Sequence, residues 1–296
     1  MSRWAARGLR KGSMMSTRFL RALAICAILV VPAPTLAQTT APAPHVPLFT
    51  VNDAYLAGAF IAGTLALRPV DEYFARRLQN KYSQSSRFLQ EVAVTFRTIA
   101  EPGAFIIGGT LYIAGRASKQ RDMADLGLHG TEAVVIGSVF AGVLKDAFGR
   151  ARPFVHPPTD STGFNANDWQ FGRGLKDGDK YRSFPSGHSV AAFAAAAAVV
   201  NETSRWWPDL TWVIGPAMYG GAGLVGLSRM YNNRHWASDV MMGAAIGTFA
   251  GNKVVRYHHR TNPTNKFDRW LLGASVSQSA SGSYSNFAWT FAPAPR

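Results

Sequence analysis

The amino-acid sequence predicts an all-α fold, a helical bundle of about six to seven helices. Seven apolar segments, each long enough for a helix and rich in Ala, Leu, Val and Phe, follow one another between residues 53 and 256. Alternation typical of strands is nearly absent before residues 273–291, which alternate loosely and predict at most a short C-terminal β-hairpin. Apolar residues make up 47% of the chain, which is enough for a folded core and argues against general disorder.

The first 37 residues have the layout of a secretory signal peptide. Six Lys and Arg residues and no acidic residue precede an apolar run from Leu23 to Val31, and Ala37 supplies the small residue expected at a cleavage site. The run is less than half of the roughly 20 residues that a spanning helix needs, so a membrane anchor is the less favoured alternative. We therefore predict a signal peptide over 1–37 and export to the periplasm.

Beyond the signal peptide, composition divides the chain into three parts. Residues 38–50 are rich in Pro, Thr and Ala and predict a flexible tether, 51–260 form the helical domain, and 261–296 form a C-terminal tail. Within the domain the predicted helical segments are 53–67, 88–100, 102–117, 130–148, 187–202, 209–228 and 237–256.

The same segments raise the question of whether the domain crosses a membrane. Most of their charge-free runs are shorter than the usual lower limit of about 17 residues for a spanning helix. The two longer runs, 183–201 and 210–228, contain proline and several glycines. These lengths favour a soluble or peripheral protein, with a multi-span inner-membrane protein as the alternative.

Charge and cysteine content limit the function classes. Thirty-one Lys and Arg against 17 Asp and Glu give a net charge of +14, which suits phosphate groups, nucleic acid or an anionic membrane surface without choosing among them. The single cysteine, Cys26, excludes a disulfide framework, a thiolate zinc site and a cysteine-dependent phosphatase. No metal-binding motif is present, and we interpret His258 and His259 as a basic helix end in preference to a metal or headgroup site.

The first block with chemical potential runs from Lys145 to Arg152 and Pro153. On a helix a spacing of seven is two turns, so Lys145 and Arg152 would project from one face, and Pro153 would mark where the helix ends. Two such cations could grip one anion. A solvated basic helix end is the alternative interpretation.

The second block is Ser183-Phe-Pro-Ser-Gly-His188, immediately before an Ala-rich run. It predicts a helix start, where free backbone N–H groups favour an anion. Gly187 would let a ligand approach the main chain closely, with His188 beside it. An ordinary capped helix with a solvent-facing histidine is the alternative.

The third block contains Ser228, Arg229, His235 and Asp239. His235 and Asp239 are four residues apart, one helical turn, so the carboxylate could hydrogen-bond one imidazole nitrogen and fix the tautomer. The other nitrogen would then be a nucleophile or a base. Helix-surface His–Asp pairs are common, but a second histidine and three cations in similar settings argue for a site.

In this order and spacing, the three blocks resemble the type-2 phosphatidic acid phosphatase and vanadium haloperoxidase superfamily. That family's pattern is Lys, six residues, Arg-Pro, then Pro-Ser-Gly-His, then Ser-Arg, five residues, His, three residues, Asp. All eleven specified positions agree here, between residues 145 and 239.

The resemblance implies a phosphatase of the acid or lipid phosphate type, in a bundle with the active site at one end. It implies hydrolysis of a phosphate monoester or pyrophosphate, lipid-linked or soluble, through a phosphohistidine and without metal or cofactor. His235 would attack phosphorus, Asp239 would orient it, and His188 would protonate the leaving oxygen. The phosphate oxygens would be held by Lys145, Arg152, Ser186, the Gly187 N–H and Arg229.

Several alternatives stay open. The partner would be a phosphorylated small molecule or a lipid phosphate, with peripheral membrane contact as an option and no nucleic acid. The same residues would serve a vanadate-dependent haloperoxidase, and a non-catalytic phospholipid-headgroup binder is also compatible. The polar connection over 154–182 is either a lid at the leaving-group pocket or a surface excursion with its aromatic side chains tucked onto the bundle.

Overall fold

Helices dominate the computed structural model, which confirms the predicted all-α class. The structure describes residues 47–160, 163–263, 265, 266 and 268, together with the backbone of 274–278 and 285–289. All of them lie in one compact unit, Pro42–Arg296. The predicted signal peptide and most of the predicted tether lie outside the described residues, so both stay predictions.

Ten α-helices follow one another in the described part of the chain. Seven of them have 12 residues or more and correspond to the seven predicted segments, whereas the three short polar helices carry no apolar run that could announce them. Two short strands, β1 (Ala274–Gln278) and β2 (Ser285–Trp289), pair antiparallel where the sequence alternates. The helices are α1 (Val51–Leu67), α2 (Asp71–Leu78), α3 (Lys81–Ser85), α4 (Arg87–Thr98), α5 (Ala104–Ala117), α6 (Arg121–Phe148), α7 (Arg173–Lys176), α8 (Gly187–Trp206), α9 (Thr211–Tyr231) and α10 (Ala237–Arg256).

The core lies where α8 packs between α6, α9 and α10. Small side chains let the helices approach closely: a Cβ on Gly247 of α10 would lie 2.3 Å from the carbonyl oxygen of Val190 on α8. The close approach brings the first turns of α8 and α10 together, and the Ser186 N–H donates to the Asp239 carbonyl at 3.0 Å. The buried apolar cluster at this contact contains Ala133, Val134, Ala191, Ala194, Ala198, Ala250, Val254 and Val255.

One prediction about the first motif is wrong. Helix α6 ends at Phe148, because Gly149 takes a left-handed conformation with φ of 54° and reverses the chain. A side chain there would be excluded, since a Cβ would lie 2.1 Å from the Gln170 carbonyl oxygen. Arg152 therefore lies in an extended segment beyond the helix, and Lys145 and Arg152 share no helical face.

Two helical stretches are long and apolar enough to cross a membrane, Arg121–Phe148 and Pro208–Tyr231. Within the most apolar window of each, 39% and 17% of the residues are buried inside the protein. Large apolar side chains, among them Phe140 and Trp212, are exposed on their surfaces. The preference for a soluble or peripheral domain relied on short charge-free runs, and these two stretches favour the multi-span alternative instead.

Candidate active site

Six of the predicted site residues line one cavity, five of them with their side chains. The cavity has a volume of 390 Å³ and lies at the end of the bundle where α6 and α9 finish and α8 begins. Gly187 also lines it, whereas Ser186 and Asp239 lie behind its wall. The five predicted residues that face it are Lys145, Arg152, His188, Arg229 and His235.

Helix ends explain how distant residues converge here. Lys145 and Arg229 occupy the last turns of α6 and α9, where a cation is favoured by the helix dipole. His188 lies in the first turn of α8, where backbone N–H groups have no partner within the helix. The Ser186 hydroxyl is used as the cap of this helix, accepting from the Ser189 N–H at 3.4 Å.

The hydrogen bonds of His235 define its tautomer. Its Nδ1 lies 2.7 Å from the Ser183 carbonyl oxygen, an acceptor, so Nδ1 carries the proton and donates it. Nε2 is then the unprotonated nitrogen, and it lies 3.2 Å from Nη1 of Arg152. Complete burial, with Lys145 and Arg152 nearby, holds the pKa of His235 well below its ordinary value. His235 therefore presents a neutral, nucleophilic nitrogen toward the cavity.

Asp239 supports His235 at a greater distance than the sequence suggested. Its Oδ2 lies 3.8 Å from Nδ1 of His235, and α10 begins only at Ala237, so the two do not form one helical turn. Oδ2 instead accepts from the Ser183 hydroxyl at 2.6 Å and from the Trp236 N–H at 2.9 Å. The carboxylate thus fixes the segment whose carbonyl holds His235.

A buried ion-pair network that sequence reasoning missed stands behind Asp239. Arg150, 1% exposed, contacts Oδ1 of Asp239 with Nη1 and Oδ2 of Asp71 with Nη2, the latter at 2.7 Å. Burial alone would raise the pKa of the Asp239 carboxyl, but the Arg150 charge holds it below its usual range. Arg150 belongs to the first basic block, yet its burial depends on tertiary contacts that spacing does not report.

The cationic side chains that line the cavity are placed to bind an anion. Arg229 is 7% exposed, and its Nε has no hydrogen-bond partner among the described residues. Lys145 donates from Nζ to the Arg182 carbonyl at 3.2 Å, and a Cβ on Gly187 would lie 3.7 Å from the same nitrogen. A buried guanidinium with a free N–H requires an acceptor, and phosphate oxygens meet that need best.

Glu101 also lines the cavity, although it lies outside the three motifs. It lies at the break between α4 and α5, and its Oε2 is 3.2 Å from Nδ1 of His188. Burial raises the pKa of Glu101, although Lys145 and Arg229 oppose the rise. The pKa of His188 is lowered to about 3 by burial and by the charges of Arg229 and Lys145. The signal in the sequence was the charged residue Glu101 followed by Pro102, which together interrupt two apolar segments.

The connection over 154–182 contributes to the cavity wall and also packs onto the bundle, while a lid at the leaving-group pocket stays a prediction. Asp179 and Arg182 line the cavity, and Asp179 accepts from Nη2 of Arg152 at 2.6 Å. Phe164 is buried against Trp236, with ring centroids 5.4 Å apart, so part of the segment is tucked onto the bundle.

The cavity suits an anion better than a metal ion. Its described lining contains the cations Lys145, Arg152, Arg182, Arg229 and Arg234 but only two carboxylates, Glu101 and Asp179. The groupings of histidine and carboxylate atoms with ligand spacing that the described residues contain lie elsewhere, around His129.

A family model described as the PAP2 superfamily matches residues 128–263, a range that contains the three motifs. Residues 128–263 are therefore similar to the PAP2 superfamily. The resemblance inferred from the motifs is thereby confirmed. The PAP2 match covers α8, α9 and α10 completely and most of α6, the helices whose ends meet at the cavity.

Three known proteins are similar to this chain. A lipid A 1-phosphatase of Porphyromonas gingivalis is 45% identical over 90 residues, which are 29% of this chain and 19% of that protein. A transmembrane PAP2 type phosphatidylglycerolphosphate phosphatase of Bacillus subtilis has a TM-score of 0.48 at 19% identity, over 74% of this chain and 100% of that one. LpxE of Aquifex aeolicus has a TM-score of 0.44 at 21% identity, over 64% of this chain and 96% of that one.

Proposed function

We propose that the protein is a phosphatase that hydrolyses a phosphate ester of a lipid through a phosphohistidine, without a metal ion. The observation that carries the proposal is the convergence of His235, His188 and three cations on one cavity. Phosphoryl transfer depends mainly on positioning and on charge stabilisation, and this set of groups supplies both.

In the first step Nε2 of His235 attacks phosphorus, and the bond to the leaving oxygen breaks. Lys145, Arg152 and Arg229 bind the non-bridging oxygens, together with N–H groups at the start of α8. The imidazole becomes positively charged as the P–N bond forms. The Ser183 carbonyl keeps the Nδ1 proton in place, and the Asp239 carboxylate, 3.8 Å from Nδ1, compensates the new charge.

His188 donates its proton to the leaving oxygen in this step. Burial and the charges of Arg229 and Lys145 lower the pKa of its imidazole, and a bound phosphate dianion would offset the part that comes from these charges. Glu101 faces the other ring nitrogen and stabilises the protonated form. In the second step neutral His188 accepts a proton from water, and the water oxygen attacks phosphorus. The P–N bond then breaks, which releases inorganic phosphate and regenerates His235.

A lipid substrate is supported by the surfaces around the site and by the relatives. An apolar cleft of 320 Å³ is lined by Phe184, which lies in the second block, and provides a surface for an alkyl chain. The named relatives include a lipid A 1-phosphatase and a phosphatidylglycerolphosphate phosphatase.

We further propose that Arg121–Phe148 and Pro208–Tyr231 lie in the inner membrane and that the site opens to the periplasm, consistent with an export signal over 1–37.

The full chain in detergent provides the direct test. We expect phosphate release from a short-chain phosphatidic acid at a rate well above that from glucose 6-phosphate, with inhibition by vanadate and an unchanged initial rate in EDTA. Absence of release, or release only after addition of a metal ion, would contradict the proposal. Halide oxidation by the vanadate-loaded protein, or lipid binding without turnover, would point to the haloperoxidase or the headgroup binder.

Replacement of Glu101 by Gln should impair proton donation by His188 while the residues that bind phosphate remain unchanged. We expect kcat for an alkyl phosphate to fall about 10- to 100-fold, because proton donation contributes about 10²–10⁴ and His188 itself remains. The loss should be much smaller with p-nitrophenyl phosphate, whose leaving group departs without a proton. Paired kcat measurements on the two substrates test this.

Glu91→Gln is the matched control, since it makes the same change at an exposed position of α4. His188→Ala should reproduce the dependence on the leaving group. Equal losses on both substrates in Glu101→Gln would show that Glu101 acts only on the architecture.

A further inference from the structure

Three histidines that the proposed reaction does not use converge far from the cavity. His129 lies in α6, and His258 and His259 lie in the turn of Tyr257–Thr261 that follows α10. His129 and His259 contact Glu202 in the last part of α8, and His258 stacks on His129. Glu202 lies fifteen residues after Gly187, or about 22 Å along the helix. The interpretation of His258 and His259 as a basic helix end is wrong, because His258 is buried and both rings face carboxylates.

Glu202 is the centre of this cluster. It is 0% exposed, and its Oε1 lies 2.6 Å from Nδ1 of His129 and 2.8 Å from Nε2 of His259. The ligand atoms of the three residues all lie within 4.8 Å of one another. Two imidazoles and one carboxylate form a ligand set typical of zinc and similar divalent ions, and a small separation of these hydrogen-bonded atoms would admit an ion between them.

The orientations of the imidazole rings favour His259 over His258 as the second histidine ligand. The rings of His129 and His259 are inclined at 82°, so lone pairs in the two ring planes can point to a common position. His258 instead stacks on His129 at an interplanar angle of 10°, which directs its nitrogens along a parallel plane. His258 is occupied by contacts to Glu132, at 2.7 Å, and to Asp268.

The far nitrogen of His129 provides a second, independent indication. Among the described residues Nε2 has no hydrogen-bond partner, although His129 is only 1% exposed, and Oδ2 of Asp268 lies 3.6 Å away. A carboxylate opposite the non-ligating nitrogen is the common support of a metal-binding histidine, which it orients and makes more basic. A small contraction on metal binding would complete this contact.

Local charge also favours a cation. A chain with a net charge of +14 and only 17 acidic residues places four carboxylates around these imidazoles. They are Asp125, Glu132, Glu202 and Asp268.

We propose that Nδ1 of His129, Nε2 of His259 and the carboxylate of Glu202 bind a divalent transition-metal ion of the Zn²⁺ class, with water as the fourth ligand. Asp268 supports His129 from outside the coordination sphere. Because the three ligands come from α6, α8 and the Tyr257–Thr261 turn, the ion acts as a structural clamp at the end of the bundle opposite the cavity.

The test uses the full chain, purified in detergent without a histidine tag and stripped of metal. We expect equilibrium dialysis against ZnCl₂ to give one zinc per chain and a rise in Tm of about 5 to 10 °C. MgCl₂ should have no effect. Cobalt substitution should give the intense visible absorption of a tetrahedral site, a readout that requires no variant.

Neighbouring variants assign the ligands. His259→Asn and Glu202→Gln should lose the zinc and the gain in Tm, whereas His258→Asn should keep both. His235→Asn should also keep them, which would exclude the catalytic cavity as the source of binding. Absence of stoichiometric zinc in the wild type, zinc retained by His259→Asn, or zinc lost from His235→Asn would overturn the proposal.

Discussion

Replacement of His235 by Asn should reduce phosphate release at least about a thousandfold, because the residue is assigned as the nucleophile. The amide group can still donate to the Ser183 carbonyl, which His235 contacts at 2.7 Å, so the local structure should be retained. Lys145, Arg152 and Arg229 remain unchanged. The variant should therefore still bind vanadate while turnover is lost, which kcat and a vanadate-binding measurement can separate.

Trapping of the intermediate gives an independent readout. Wild-type protein quenched during turnover of ³²P-labelled substrate should carry label that is lost in acid and stable in base, as expected for a phosphohistidine. His235→Asn should carry none. His156→Asn is the matched control, because His156 also lies beside an aspartate four residues away but is half exposed and outside the cavity. Turnover above one tenth of the wild-type rate in His235→Asn would remove His235 from the reaction.

The long helices were predictable because each has its own apolar run. Their ends were less so. Helix α6 begins at Arg121, before the predicted 130, because residues 121–129 mix charged, small and apolar side chains and form no continuous apolar run. It ends at Phe148, before the Pro153 that was expected to mark its end, because Gly149 in the left-handed region reverses the chain first.

The cavity was predictable only in its motif residues. Lys145, His188, Arg229 and His235 lie at or next to helix ends, and helix-end signals are local in sequence. Glu101 reaches His188 from another helix pair, a contact that depends on how the helices pack. The proposed metal site of His129, Glu202 and His259 could not be predicted for the same reason, since Glu202 contacts His259 only through the packing of α8 against α10.

The second large effect is expected in stability, on replacement of Arg150 by Met. The change would leave Asp71 and Asp239 buried without the guanidinium that both contact. Removing one partner of a buried ion pair costs about 3–5 kcal/mol, because the remaining charge stays in a medium that solvates it poorly. For a domain of this size that corresponds to a fall in Tm of about 10 °C, which thermal unfolding in detergent can measure.

An ion pair whose arginine is exposed provides the control for this prediction. Arg121 is 79% exposed and Asp125 is 9% exposed, and the 3.7 Å between Nε and Oδ2 is longer than the 2.7 Å contact of Arg150 with Asp71, so Arg121→Met should cost much less stability than Arg150→Met. Asp71→Asn added to Arg150→Met should recover part of the loss, because only Asp239 would then remain uncompensated. If Arg150→Met unfolds at the temperature of Arg121→Met, the network does not stabilise the fold. Any loss of turnover in that variant would then come from Asp239 alone, whose carboxyl pKa would rise once the Arg150 charge is removed.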